Sequence, residues 1–503
     1  MRFRLLAALF LVAGCENLPA ILPPGFGSGP QQQNQFFFPT GIAVAPDKTV
    51  IVANGNFGHA FEGGTMVALR ADYIRAHFDR TSHLPDGGSI DCSQANVEFN
   101  DGGVLGPDAG FVAQFPPECD VFQGTPEFNA AFAGAVMIGN YAGPIALDDN
   151  ATNPAIFAAG GGTAFTGSRD TSTLNAVHVA PGGALSCADG AGSGVDCRAG
   201  LFDTADAGHL DGPFAIVPGD AALPGQPSQR VLFIGSLVPF VDAIDNSIPI
   251  TSSAVTVLAQ GTPYPKQPLY TMVASSEFVA AGIGMSSLLY DPVRRHLIAG
   301  GCYQRFGNTG AGEPATSKCL NLNFNFLRYL PVDVGTDNGV TLAIDLFPSI
   351  QSVDLAAMVF ADPDPITSAP TTIWATLRNP DTLAKINLPL NPSVAPSVTR
   401  IVPLPSTPGQ LVVIPRAGRG NIIAVASERM GAVTIYDEDA QQVVANVERV
   451  GDTPYGLALW DNDGVNARLV STIFAGCSVA LVEVPLAHPA GAALRARIGG
   501  CEE

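Results

Sequence analysis

A phrase that recurs along the chain constrains the fold more than any other feature. It stands near the start as FPTGIAVAPDKTVIVANGN, from Phe38 to Asn56, and near the end as GDTPYGLALWDNDGVNARLVSTIFAG, from Gly451 to Gly476. Both read Pro-x-Gly, four alternating or apolar residues, a polar turn containing Asp, then a Val/Ile-rich run that closes in small residues. Five further units begin at Gly139, Asp211, Gly284, Leu355 and Gly409, which makes seven. The unit at Gly139 reads GNYAGPIALDDNATNPAIFAAGGG, so its second run is expected to end at AAGGG. Alternating apolar runs bounded by Gly, Pro, Asn and Asp are the pattern of half-buried strands joined by tight turns. Self-similarity on this scale signals an array of like units that bury their faces against each other.

Most copies are followed by a third apolar run, beginning at Gly64, Ser172, Ser253, Asp381, Gly431 and Ser478. After the run at Gly431, QQVVANVERV supplies a fourth strand that leads into the last Pro-x-Gly phrase. Four antiparallel strands per unit, repeated around a ring, is the plan of a β-propeller blade. The phrase VANVERVGDTPYGLAL resembles the YVTN-type and NHL-type propeller repeats, closely in the first, second, sixth and seventh units and loosely over about 38–500. The resemblance implies an all-β fold with seven four-stranded blades. The run from Ala493 to Ile498 is expected as the strand that leads back to Pro39, so that pairing of N- and C-terminal strands closes the ring. Two stretches, about 57–133 and 302–350, exceed what a blade needs; long connections of this kind are where specificity is sought.

The first residues carry an address. Arg2 and Arg4 precede an apolar run from Leu5 to Ala13. That is about nine residues, against roughly twenty needed to span a membrane as a helix, so it reads as a secretory signal. The run ends Leu11-Val12-Ala13-Gly14-Cys15, which resembles the lipobox of bacterial lipoproteins. The resemblance implies cleavage after residue 14 and lipid attachment at Cys15. Residues 15–35, rich in Pro, Gly, Gln and Asn, are expected to form a flexible tether, with the propeller over 36–503. Glu16 is not the Asp that the family uses for inner-membrane retention, so the outer membrane is the expected location, on a face the sequence does not specify.

The remaining eight cysteines fall into local pairs: Cys92–Cys119, Cys187–Cys197, Cys302–Cys319 and Cys477–Cys501. An even set in an exported chain implies disulfides, and no pair has the C-x₂-C spacing of a zinc knuckle. With a formal net charge of −20 and no basic cluster, the chain is not expected to bind nucleic acid.

Catalytic motifs are absent: there is no G-x-S-x-G, H-E-x-x-H, P-loop, dinucleotide fingerprint or C-x-x-C-H. The histidines at 59, 77, 83, 178, 209, 296 and 488 are scattered. Asp461-Asn462-Asp463-Gly464 has the opening of a calcium loop, but lacks the distal Glu and falls where the repeat needs a turn. Asp461 and Asp463 are therefore the candidate metal ligands, for Ca²⁺; Asp362 and Asp364 hold the equivalent turn of the fifth unit and are read in the same way. Lactonase-like propellers hold calcium in the central channel, and Asn54 stands at a strand end that could face it. No matching Glu, Asp and Asn set recurs at the other strand ends, so no cofactor is implied. The two resemblances together imply a cell-envelope lipoprotein whose propeller binds a protein, peptide or glycan ligand through loops on one face. The alternative is a metal-dependent lactonase-like hydrolase, in which a divalent ion polarises a carbonyl and activates water. A quinone- or metal-dependent redox role is a third option.

Overall fold

The computed structural model describes residues 21–26, 34–79, 81–83, 89–91, 120–148, 162–168, 173–188, 194–198, 213–222, 228–236, 240–242, 250–252, 254–259, 270–273, 282–304, 326–332, 342–345, 354–378, 380–391, 394 and 396–500. These form seven four-stranded antiparallel sheets, taken in chain order and numbered one to seven below, with two additional two-stranded ribbons. Each sheet opens on an inner strand. These are Pro39–Val44, Ala142–Asp148, Pro213–Ala222, Gly282–Asp291, Asp354–Pro363, Pro408–Ile414 and Pro454–Asn462. Each inner strand touches the inner strands on either side, and that of sheet seven touches that of sheet one. No helix among the described residues is long and apolar enough to cross a membrane.

Period-two alternation explains how the sheets stack, because successive side chains on a strand face opposite neighbours. In Ile422–Ser427 of sheet six, Ile423 and Val425 pack with Trp374 and Leu383 of sheet five. Ile422, Ala424 and Ala426 pack with Leu457 and Leu469 of sheet seven. Every adjacent pair of sheets shares such an apolar cluster. The cluster that joins Val50, Val52 and Val67 of sheet one to Val470, Val479 and Leu481 of sheet seven completes a propeller-like ring.

Ring closure differs from the expectation. Among the described residues, no sheet mixes strands from the two chain ends: sheet seven is built wholly from Pro454–Gly499. Its fourth strand, Ala493–Gly499, pairs with Ser478–Pro485 and not with an N-terminal strand. The outer edge of that strand is instead occupied by Val121, in a parallel bridge. The Val121 N–H donates to the Arg497 carbonyl at 2.9 Å, and the Gly499 N–H donates to the Val121 carbonyl at 2.7 Å. Asp120 pairs with Arg497 at 2.5 Å, and the Gln123 side chain bridges Gly500 and Phe36. Helix Ala71–Phe78 lays Phe78 against Trp460 of sheet seven. So the described parts of the first long insertion act as a clasp over the ring's seam. Each end already completes its own sheet, which leaves no strand to exchange.

A second clasp repeats the device one blade on. Val195 and Cys197 bracket Met137 on the outer strand of sheet one, with hydrogen bonds of 2.8 and 2.9 Å. The Cys187–Cys197 disulfide ties that segment to the outer strand of sheet two. Cys477 is disulfide-bonded as well; its expected partner Cys501 lies outside the described residues, as do Cys15, Cys92, Cys119 and Cys319, while Cys302 is described only as strand backbone. The second strand of sheet two also differs from expectation, being Gly162–Ser168, one phrase beyond AAGGG. Its register against the inner strand includes a bulge between Ala142 and Ile145, and it pairs Ser168 with Ala142. The stretch 302–350 contains two strands of sheet four, Phe326–Pro331 and Leu342–Asp345.

Candidate functional site

All seven inner strands carry a register shift near their start, at Pro39/Gly41, Ala142/Ile145, Pro213/Ala215, Met285/Ser287, Leu355/Ala357, Pro408/Leu411 and Pro454/Leu457. A bulge leaves backbone groups outside the ladder, and buried ones need partners. Hydroxyl and amide side chains supply them, often from the neighbouring sheet. Thr40 donates to the Ala142 carbonyl at 2.8 Å, Thr376 to Gly409 at 2.8 Å and Thr472 to Thr40 at 3.1 Å. The Met358 N–H donates to Ser287 Oγ at 3.1 Å, and the Leu457 N–H to Gln410 Oε1 at 3.2 Å. The recurring Pro-x-Gly has its reason here. A Cβ on Gly456 would lie 2.7 Å from the Thr40 carbonyl, and one on Gly41 would lie 2.6 Å from the Gly143 carbonyl.

The bulged segments of sheets two to seven surround a cavity of about 250 Å³ on the ring axis. Its walls carry Ser286, Ser287 and Gln410, and Arg378 and Glu428 pair within it. Arg378 ends the second strand of sheet five and Glu428 follows the second strand of sheet six, so both stand at one mouth of the ring. The Arg378 Nε also donates to the Pro408 carbonyl at 3.0 Å, which fixes the guanidinium beside the inner strand of sheet six.

At the same mouth, Tyr455 lines the cavity and begins a row of half-buried rings across sheets seven, one and two. Phe474 lies 6.3 Å from Tyr455, 5.3 Å from Phe38 and 5.1 Å from Phe57. Phe57 meets Tyr141 edge-on at 4.8 Å, and the Tyr141 hydroxyl bonds His59 Nε2 at 2.7 Å. Local geometry puts them there. The residue before an inner strand adopts a left-handed backbone at Phe38, Tyr141, Thr407 and Thr453. The carbonyls of Phe38, Thr407 and Thr453 then accept the N–H just past the second strand, from Gly55, Glu428 and Phe474 at 2.9–3.0 Å. This mouth therefore offers aromatic faces on one side and a charged, hydroxyl-lined pocket on the other. Such a pairing suits ligands with both apolar and hydrogen-bonding faces.

The residues singled out from the sequence lie elsewhere. Asp461 is at the far end of its inner strand, bound to Lys48 of sheet one at 2.9 Å. Asp463 accepts the N–H groups of Asn466 and Val465 at 2.7 and 2.8 Å, and these donors hold its carboxyl below the usual carboxylate range. The two carboxylates thus join a sheet-to-sheet ion pair and a turn. Asp362 meets Lys385 of its own sheet and Asn421 of sheet six, and Asp364 caps its own turn through Ile366 and Thr367. Asn54 is fully buried and bonded to Thr65, Gln35 and Phe37, away from any channel role. Among the described residues, no three His, Cys, Asp or Glu side chains gather as metal ligands do. His77 and His296 bond backbone carbonyls, of Tyr73 and Arg294. One signal of the aromatic mouth was present in the sequence: Phe57 stands three residues past the second strand of its unit and Phe474 directly follows that of its own.

No protein-family model matches the chain, and no curated protein does. Among solved structures it is similar to the hydrazine synthase of Kuenenia stuttgartiensis, at 12% identity over 92% of this chain and 100% of that one, with a TM-score of 0.48. The computationally designed Ika8 protein is similar at 12% identity over 90% and 97%, with a TM-score of 0.38. Dihydro-heme d1 dehydrogenase NirN is similar at 12% over 64% and 52%, with a TM-score of 0.35. Likenesses at these scores carry no argument about activity; the architecture rests on the chain's own sheets and clusters.

Proposed function

We propose that the chain is a cell-envelope lipoprotein, anchored through lipid on Cys15, whose seven-bladed β-propeller is a rigid binding scaffold. Its ligand is a peptide or glycan, free or as part of a protein, taken at the mouth that carries Tyr455, Phe474 and the Arg378–Glu428 pair. The continuity of that aromatic row with the polar axial cavity is the observation that carries this reading. An exported chain with disulfides and a polar tether of about twenty residues fits the location, since several acyl chains hold a protein durably on a bilayer. The metal-dependent hydrolase alternative gains no supporting observation, because Asn54, Asp461 and Asp463 are engaged by other protein groups.

The test uses the chain from residue 16 onward, made in an oxidising compartment and applied to peptide and glycan arrays. Hits should lose at least tenfold in affinity in Tyr455→Ala and Phe474→Ala while circular dichroism is unchanged. Binding indifferent to both substitutions would reject this mouth. Replacing Cys15 by Ser in the full chain should move it from the membrane to the soluble fraction; an unchanged distribution would reject the anchor.

A further inference from the structure

The molecule shows twice what fills the outer edge of one of its sheets. Val121 bridges the edge of Ala493–Gly499, and Val195 with Cys197 bridges that of Phe132–Ile138, both in parallel. The edge of sheet six, Gln442–Val447, lies under the short turn Pro489–Gly491. The outer strand of sheet five, Ser397–Pro403, pairs only with Thr382–Asn387 among the described residues. Its side chains alternate cleanly. Arg400 reaches the Tyr436 hydroxyl of sheet six and Val402 is buried in the cluster shared with that sheet. Ser397, Thr399, Ile401 and Pro403 are exposed. Ile401 is 42% exposed, and Leu390 and Val394, in the loop that leads into the strand, are each 50% exposed.

An open strand edge presents alternating N–H and C=O groups that another extended backbone satisfies. We propose that this edge takes an extended segment of a partner protein, with a β-branched apolar residue beside Ile401 and basic residues flanking it. The bridge on Ala493–Gly499 is centred on Val121 and that on Phe132–Ile138 on Asp196, so the apolar choice rests on Val121 and on the exposed Ile401 that the segment would lie beside. The net charge of −20 sets the basic flanks and disfavours a second copy of this chain. The surface is separate from the axial mouth, so its test is independent of the function proposed above.

The probe is a fluorescent ten-residue peptide with Val at alternate positions and Lys at both ends, compared with one carrying a central proline. The alternating peptide should bind, the proline peptide should not, and binding should slow hydrogen exchange at amides within 397–403. Arg400→Pro and Ile401→Pro form a pair in which one replaced N–H faces outward. That variant should keep its melting temperature and bind at least tenfold more weakly. If both prolines lower the melt, the exchange pattern on wild-type protein decides. Absence of binding, or binding that leaves 397–403 exchanging as before, would overturn the proposal. So would a dimer of the chain that the outward proline dissolves, because the edge would then belong to a second copy.

Discussion

Replacing Asp120 by Ala should open the ring at its seam while leaving the sheets intact. The Asp120 side chain is 5% exposed and pairs with an Arg497 side chain that is 23% exposed. It also accepts the Arg497 backbone N–H at 3.2 Å, in the strand whose edge Val121 bridges. Removing one partner of a buried pair costs about 3–5 kcal/mol, because the survivor stays desolvated. Water can reach part of Arg497, which lowers the expectation to about 2–3 kcal/mol. Asp120→Asn keeps an acceptor for the backbone N–H and should cost about half as much. At 1.4 kcal/mol per tenfold, Asp120→Ala raises seam opening by about 30- to 140-fold. A global melt is a poor gauge, since a seven-sheet ring can open in parts. Native-state hydrogen exchange at the Val121 and Gly499 amides reads the seam directly, because those N–H groups make the bridge. Amides of Ile422–Ser427 in sheet six serve as the internal control. Unchanged exchange at Val121 and Gly499 would refute the clasp. Equal acceleration in sheet six would show that the pair supports the whole fold and not its seam.

Three further outcomes follow from the same contacts. Gly456→Ala should destabilise by about 2–3 kcal/mol through overpacking against the Thr40 carbonyl and Thr472 hydroxyl, whereas Gly491→Ala, whose Cβ meets nothing nearer than 3.8 Å, should be silent; equal denaturation midpoints would refute the close-approach account of Pro-x-Gly. Reducing Cys187–Cys197, which closes a separation of 10 residues, should cost about 2–3 kcal/mol and free the Met137 and Cys197 amides to exchange; unaltered protection there would separate the disulfide from the second clasp. The carboxyls of Asp196 beside Arg198, Asp364 under the Thr367 N–H, Asp439 under the Gly420 N–H and Asp463 under the Asn466 N–H are all held below their ordinary values. A depressed folded-state pKa adds stability that is complete above the unfolded value of about 3.9 and is lost as pH falls through the folded values. Urea midpoints should therefore hold between pH 7 and pH 5 and drop by pH 3; a midpoint as high at pH 3 would contradict these contacts.

What was legible in the sequence was what a single blade dictates to itself. Alternation marked the inner strands of all seven sheets, and turn residues marked their hairpins, because both are properties of neighbouring positions along the chain. The runs from Gly64, Ser172, Ser253, Asp381, Gly431 and Ser478 all became third strands. The second strand of sheet two was misplaced for a local reason too. Its sequence, GTAFTGS, has small and polar residues where a Val/Ile-rich run was expected, and it is held by its register with Thr173–Val179.

What was not legible is what one blade does to the next, and the Asp-containing turn shows why. On its own, Asp461-Asn462-Asp463-Gly464 is consistent with an ion loop or a hairpin. Only the ring, which brings residue 48 within 2.9 Å of residue 461, shows that the first carboxylate faces a lysine. The same pattern recurs at Asp148, which binds Arg230 of sheet three, whereas Asp362 takes Lys385 of its own sheet together with Asn421 of sheet six, and Arg294, paired with Asp291, reaches the Pro370 carbonyl of sheet five. A carboxylate that meets a cation on the adjacent sheet cannot also offer its oxygens to calcium at ordinary cost, since its charge is already met. At Asp148 and Asp461 the carboxylate is thus explained by the cation of the adjacent sheet, and at Asp291 and Asp362 by a cation of its own sheet. That leaves the opposite mouth, where aromatic rings and the Arg378–Glu428 pair border the axial cavity, as the place where side chains exceed what ring assembly requires.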